Sequence, residues 1–324
     1  MNKRTKTILV IVGIILIIIL LILFFILKNS NEKYPDEPIM QTSLYYTKQE
    51  INLELEDLKA QEYPLIGLSN SVLLDKVAEF VESIDPKMVQ TINEEGSYYK
   101  WEDGDSFVIY KLNKGTVEFK FKNGIIWNEA EITDYSFTSF TKKYFGKDYD
   151  YKISLKELNT DGAMIYYANR SFLEQLIETA ENKKQTDYLS VKDGKIIYGK
   201  ILLTEFFDTE LYLPTLDRQG LLKYINTNKY PKEIYPNYST LQSTVLKELD
   251  YLSEDFEEMI DTLGNCKGDN VSVVYLYKNF DQEYLMPVYK MDVMCEVSYE
   301  DEKYTVPAIA YTNAVEPDYV LVSE

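Results

Sequence analysis

Histidine is absent from all 324 residues, and only two cysteines occur, Cys266 and Cys295. Without an imidazole the chain cannot run Ser-His-Asp or Cys-His nucleophile activation, and a catalytic zinc loses its usual neutral ligand. Chemistry is thereby confined to carboxylate pairs or a Lys-activated Ser, and composition identifies neither. No catalytic, cofactor-binding or metal-binding motif is recognisable. Basic residues are scarce too: 34 Lys and Arg face 53 Asp and Glu, a net charge of −19. A surface of that sign repels polyanions, so nucleic acid is excluded as a partner and anionic lipid headgroups are poor ligands for the bulk of the chain. Solubility is the plain reading of the excess carboxylate; divalent-cation binding is the alternative.

Charge vanishes altogether from Ile8 to Leu27, 20 residues dominated by Ile and Leu and interrupted only by Gly13. At about 1.5 Å per residue, a helix of that length crosses a hydrocarbon core of roughly 30 Å. Lys3, Arg4 and Lys6 precede the run, and Asn, Glu and Asp soon follow it. The positive-inside bias therefore places residues 1–7 in the cytoplasm and the rest outside. A cleaved signal peptide has an apolar core of about 7–15 residues ending in small residues; this run is longer and ends in Leu27-Lys28-Asn29-Ser30. An uncleaved single-pass transmembrane helix at 8–27, a signal-anchor, is the expectation. No cysteine lies near its end to carry a lipid.

Residues 28–65 are polar, lack a sustained period and contain Pro35, Pro38 and Pro64, which reads as a stalk. Beyond it the spacing of Leu73, Val77, Phe80, Val81 and Ile84 predicts a helix over 72–84, stopped by Asp85-Pro86. Strand-like runs follow at 98–101, 107–112, 116–121 and 125–127, separated by Asp103-Gly104, Asn113-Lys114-Gly115 and Asn123-Gly124, the last a hairpin signal. The order then recurs. Phe172, Leu173, Leu176, Ile177 and Ala180, with a Ser171/Glu174 capping box, predict a helix over 172–180, followed by strands at 188–191 and 195–203. A third helix is expected after Ser239, through Leu241, Val245, Leu249, Leu252, Phe256, Met259 and Leu263 to Gly264, then strands at 271–277, 284–297 and 304–311. The expected fold class is α+β: an exported body of three helix-plus-antiparallel-sheet units at 66–150, 151–235 and 236–324.

Several residues invite functional readings. Glu102, Asp103 and Asp105 could line a cation loop, but spaced ligands and a bidentate Glu are missing, and a hairpin turn is the simpler reading. The acidic run Glu254, Asp255, Glu257 and Glu258 reads as a solvated helix face. The 29 tyrosines, among them Tyr98-Tyr99 and Tyr166-Tyr167, suit half-buried strands, with sugar stacking as the alternative. Asn169, Asn237 and Asn270 match the glycosylation acceptor pattern. Cys266 and Cys295 could form one disulfide, which an extracytoplasmic location permits, or remain two thiols.

The segment Tyr284-Leu285-Met286-Pro287-Val288-Tyr289-Lys290-Met291, followed by Val306-Pro307-Ala308-Ile309-Ala310-Tyr311-Thr312-Asn313-Ala314-Val315, resembles a paired-strand signature of exported bacterial proteins with PepSY-like modules. It is also similar to the Yyc-type accessory proteins that restrain a sensor histidine kinase from outside the membrane. The match covers roughly the last 50 residues and departs at Met286 and at Thr312-Asn313. The resemblance implies a regulatory or scaffold role, an envelope or sensor protein as partner, and no catalytic motif. Independently of it, Pro287 cannot donate a ladder hydrogen bond, so its strand either lies at an edge or begins at the proline. An edge over Tyr284, Pro287, Tyr289 and Met291 would be open to a partner strand.

Three function classes remain. The first is a membrane-anchored, extracytoplasmic, non-enzymatic binding or regulatory protein. The second is a carboxylate-dependent enzyme of cell-wall or surface polysaccharide. The third is a structural or adhesive surface protein.

Overall fold

The computed structural model describes residues 40–41, 49–69, 73–93, 96–112, 115–127, 129, 131–179, 187–227, 230–237, 262–278, 282–299 and 302–321. The expected tail and membrane helix at 1–27, half of the stalk, the acidic run at 254–258 and nearly all of the third helix lie outside them. Among the described residues no helix is long and apolar enough to cross a membrane.

Strands dominate. β1 (Met40–Gln41), β2 (Ile51–Leu53) and β3 (Glu62–Ser69) lead to α1 (Leu74–Ile84), and β4 (Val89–Ile92), β5 (Tyr98–Asp103), β6 (Ser106–Lys111) and β7 (Thr116–Ile126) follow as a meander. Next come α2 (Asp134–Phe145), β8 (Asp150–Leu158), β9 (Met164–Phe172), β10 (Gln175–Thr179), β11 (Asp187–Lys192), β12 (Lys195–Leu202) and β13 (Glu205–Pro214). The chain continues through α3 (Arg218–Tyr224), β14 (Lys232–Pro236), β15 (Thr262–Tyr277), β16 (Tyr284–Leu285), β17 (Pro287–Tyr299), β18 (Glu302–Asn313) and β19 (Val320–Leu321).

Fourteen strands form one mixed sheet in the order β14-β18-β17-β15-β10-β9-β11-β12-β7-β6-β5-β4, with β2 added to β15 and β8 to β9. A three-stranded sheet, β13-β3-β16, and the parallel pair β1-β19 accompany it. This corrects the expected α+β class of helix-plus-antiparallel-sheet units: the described body is mostly sheet. Its strands are also shared across the expected boundaries. β10 pairs in parallel with β15, and β3 pairs with both β13 and β16.

Local chemistry explains where the sequence reading holds and where it fails. α1 forms as expected, burying Val77, Phe80 and Val81. The helix expected over 172–180 is instead a hairpin, with Phe172 opposite Gln175 and a two-residue turn at Leu173 and Glu174, whose φ values are 49° and 63°. Both central residues sit in the left-handed region, as a type I′ turn demands. The helical spacing of Leu173, Leu176 and Ile177 is overridden because Ile177 is fully buried where β10 lies between β9 and β15. Leu263 and Gly264, the expected end of the third helix, belong to β15. Residues 49–65 are no stalk: they include β2 and the start of β3, and Ile51, Leu55 and Leu65 are buried.

α2 has no counterpart in the sequence reading. It is framed by a capping box in which Thr133 and Ser136 exchange hydrogen bonds, and by Gly146 at φ 68°, whose N–H donates to Lys142 O at 3.1 Å. Its Phe140, Tyr144 and Phe145 gather with Phe119 and Phe121 around Phe80 at ring separations of 5.1–6.2 Å. These rings centre the core beneath β5–β7 and β11–β12. A second core lies under β15, β17 and β18, against α3 and the β2 segment.

Near β10 the interior holds an ion pair. Arg170 Nε donates to Asp187 Oδ2 at 3.3 Å and its Nη1 to Thr204 O at 2.6 Å, while Leu202 N donates to Asp187 Oδ1 at 2.6 Å. The guanidinium also lies 3.7 Å from the Tyr149 ring centroid. Truncating one partner strands the other charge in the core. Arg170→Met is expected to lower stability by about 3–5 kcal/mol in urea unfolding, and adding Asp187→Asn should recover part of that loss.

Candidate functional site

Among the described residues, one open groove is built on β15. Its partner β17 pairs along its length, from Thr262↔Ser298 to Tyr275↔Pro287. On the opposite side β15 is covered only in part: β2 pairs with Cys266–Gly268, β10 with Tyr275–Tyr277, and nothing among the described residues pairs with 269–274. A groove of about 350 Å³ lies against this interval, lined by Asp57, Lys59, Gln61, Tyr63, Thr215 and Tyr289 together with residues 271–273 of β15. Successive strand side chains point to opposite faces. Three consecutive lining residues therefore mean that the groove follows the edge of the strand as well as one face.

Its far wall is held in place by the chain around Thr215. Gln61 N donates to Thr215 Oγ1 at 3.0 Å, Thr215 N donates to Gln61 O at 2.8 Å, and Arg218 N donates to Leu58 O at 2.9 Å. Tyr289, on the neighbouring β17, is buried and donates its hydroxyl to Leu216 O. Burial pushes its phenol up to about 12 and raises that of Tyr63 as well. Both rings are thus neutral hydrogen-bond donors and acceptors at physiological pH. Asp57 is the one carboxylate among the residues lining the groove, and it lies 3.5 Å from Lys59. Among the described residues no three His, Cys, Asp or Glu side chains cluster to hold a metal. Glu102 and Asp103 end β5 in the hairpin to β6, and Asp105 pairs with Lys122 at 3.2 Å.

The expected contact edge is corrected. β17 lies between β15 and β18, Met291 is fully buried, and Tyr284 pairs with Gly67 on β3. Pro287 is the first residue of its strand, where a missing N–H is tolerated. Of Tyr284, Pro287, Tyr289 and Met291, Tyr289 alone lines the groove. Cys266 and Cys295 face each other across β15 and β17 and are joined in a disulfide, both fully buried. Of the three acceptor-pattern asparagines, Asn169 is buried, Asn237 is half-buried, and Asn270 is exposed beside the groove. The groove itself is invisible in sequence. Its nearest trace is Gly268-Asp269-Asn270, where the ladder with β17 shifts register.

No family profile and no curated protein sequence matches the chain. Among solved structures it is similar to an uncharacterised protein from Eubacterium rectale ATCC 33656, with a TM-score of 0.41 and 11% identity over 86% of this chain and 92% of that one. It is also similar to YycH from Bacillus subtilis, with a TM-score of 0.30 and 12% identity over 76% of this chain and 52% of that one. Both likenesses are too distant to carry an argument.

Two outcomes follow from the geometry. Tyr289→Phe keeps the ring and loses the donor to Leu216, so a stability loss of about 1–2 kcal/mol is expected in chemical denaturation. Replacing both cysteines, C266A/C295A, removes a cross-link spanning 29 positions and should cost about 3–4 kcal/mol by the same measurement.

Proposed function

We propose that this is a non-enzymatic binding or regulatory protein that works on the extracytoplasmic side of a membrane, kept there by its apolar residues 8–27, and that the groove beside β15 is where it meets its partner. The groove carries the reading. Beside the Asp57–Lys59 ion pair it presents hydroxyl, amide and main-chain groups on a wall fixed by hydrogen bonds, the arrangement of a recognition surface. The buried disulfide supports an oxidising compartment, and the uncharged run with its preceding Lys3, Arg4 and Lys6 supports the orientation. A polysaccharide hydrolase needs two carboxylates about 5–10 Å apart, and among the residues lining the groove Asp57 is the only one.

Photocrosslinking in the native host tests this. A photoreactive residue at Lys59, on the exposed rim, should capture one envelope or sensor protein reproducibly, whereas the same probe at the exposed Tyr135 should not. Identical products at both positions would refute a partner site at the groove; glycan captured at Lys59 would favour the carbohydrate-active alternative.

A further inference from the structure

Strand β15 carries its interruption in a form that specifies a ligand. Ala314 N donates to Pro287 O at 3.1 Å, so the main-chain groups of Pro287 point toward β18. Antiparallel ladders alternate. Tyr289 and Met291 therefore also bond toward β18, and Val288 and Lys290 bond toward β15, where they face Val274 and Ser272. It follows that Val271 and Val273 turn their N–H and C=O groups away from β17, into the uncovered interval. On one flank Cys266 N donates to Glu50 O and Glu54 N donates to Gly268 O, both at 2.9 Å, so β2 uses the same side of β15. On the other flank β10 takes Tyr275 to Tyr277. The register shift between Gly268 and Asn270 moves the outward set from even to odd positions between these flanks.

We propose that this interval is a peptide slot: an extended segment of a partner polypeptide adds there as a short strand between β2 and β10, pairing with the main-chain groups of Val271 and Val273. The inference rests on the binding function proposed above and names the chemistry of the ligand. The space from Gly268 to Tyr275 is roughly 20 Å at ~3.3 Å per residue, enough for about four added residues once the flanking strands are allowed for. Only a peptide backbone offers donors and acceptors at the repeat these groups require. Asp57 and Lys59 in the groove pair with each other, the exposed Glu54 and Asp269 lie beside and within the interval with Lys267 on its β2 flank, and the whole chain is strongly acidic. The segment that fits is therefore basic, steered by charge and held by its backbone.

Hydrogen exchange on the full chain in detergent micelles tests the edge directly. The amides of Val271 and Val273 should exchange at least tenfold faster than those of Ser272 and Val274; equal protection of all four would overturn the proposal. A display library of random linear dodecapeptides, panned on the full chain, supplies the probe. Selected peptides should be basic, bind more weakly as salt is raised, and protect the Val271 and Val273 amides. N-methylation of alternate peptide amides should weaken them by about tenfold, the scale of one lost hydrogen bond. Val273→Pro, which removes an outward N–H and none of those bonded to β17, should do the same at an unchanged melting temperature. Failure to select any peptide, or a flat N-methyl scan, would overturn strand addition, and both readouts stand even if the proline variant does not fold. A partner captured at Lys59 that leaves both amides unprotected would refute strand addition and spare the binding function; capture of no partner at Lys59 would remove both.

Discussion

The three-residue parallel ladder between β10 and β15 is the constraint on which the described architecture depends. Ile177, Glu178 and Thr179 pair with Tyr275, Leu276 and Tyr277. Through that contact β9, β11, β12 and β7 to β4 become continuous with β15, β17, β18 and β14. Parallel pairing over so few residues is weak by itself. It persists because the neighbourhood is tied down by side chains. Lys290 Nζ donates to both Glu178 oxygens at 2.8 and 2.9 Å, Tyr311 donates to Glu178 Oε2 at 3.2 Å, and Tyr275 donates to Pro64 O at 2.6 Å. The Arg170–Asp187 pair anchors the hairpin that delivers β10 from the other side.

The same constraint shapes the site. β10 is short and β2 is shorter, so neither can cover the whole length of a sixteen-residue strand. The interval they leave is a consequence of how the two halves of the sheet are joined, and it is stiffened from behind by β17 and by the disulfide. A recognition edge set in a rigid sheet loses little freedom when it is filled.

Legibility in the sequence followed the range of the interactions involved. α1 could be read because Val77, Phe80 and Val81 form its buried stripe and Pro86 follows it. The Asp103-Gly104 turn was equally local. Asn123-Gly124 misled: β7 runs through it as a bulge between Lys120↔Tyr198 and Ile125↔Ile196, and Gly124, at φ 64°, lies so close to Lys195 that a Cβ would be 2.8 Å from it. Residues 172–180 misled more deeply, since their helical period gave way to pairing partners about 100 residues away. α2 went unread because aromatic, Ser and Thr residues are weak helix formers, although Phe137, Phe140 and Tyr144 keep the spacing of one face. Of the site, the sequence showed Tyr289 and the two cysteines. Which strand kept an open side could not be seen, because that depends on what lies beside it.

β1 and β19 are the described strands farthest apart along the chain, yet Met40 pairs with Val320 and Gln41 with Leu321. Tension applied to the polypeptide on the N-terminal side of Met40 reaches this two-residue ladder before it reaches β2 or β3. Two parallel residue pairs offer little mechanical resistance compared with the long ladders of β15, β17 and β18. Under such a load this pair would part first, ahead of the large sheet and its groove.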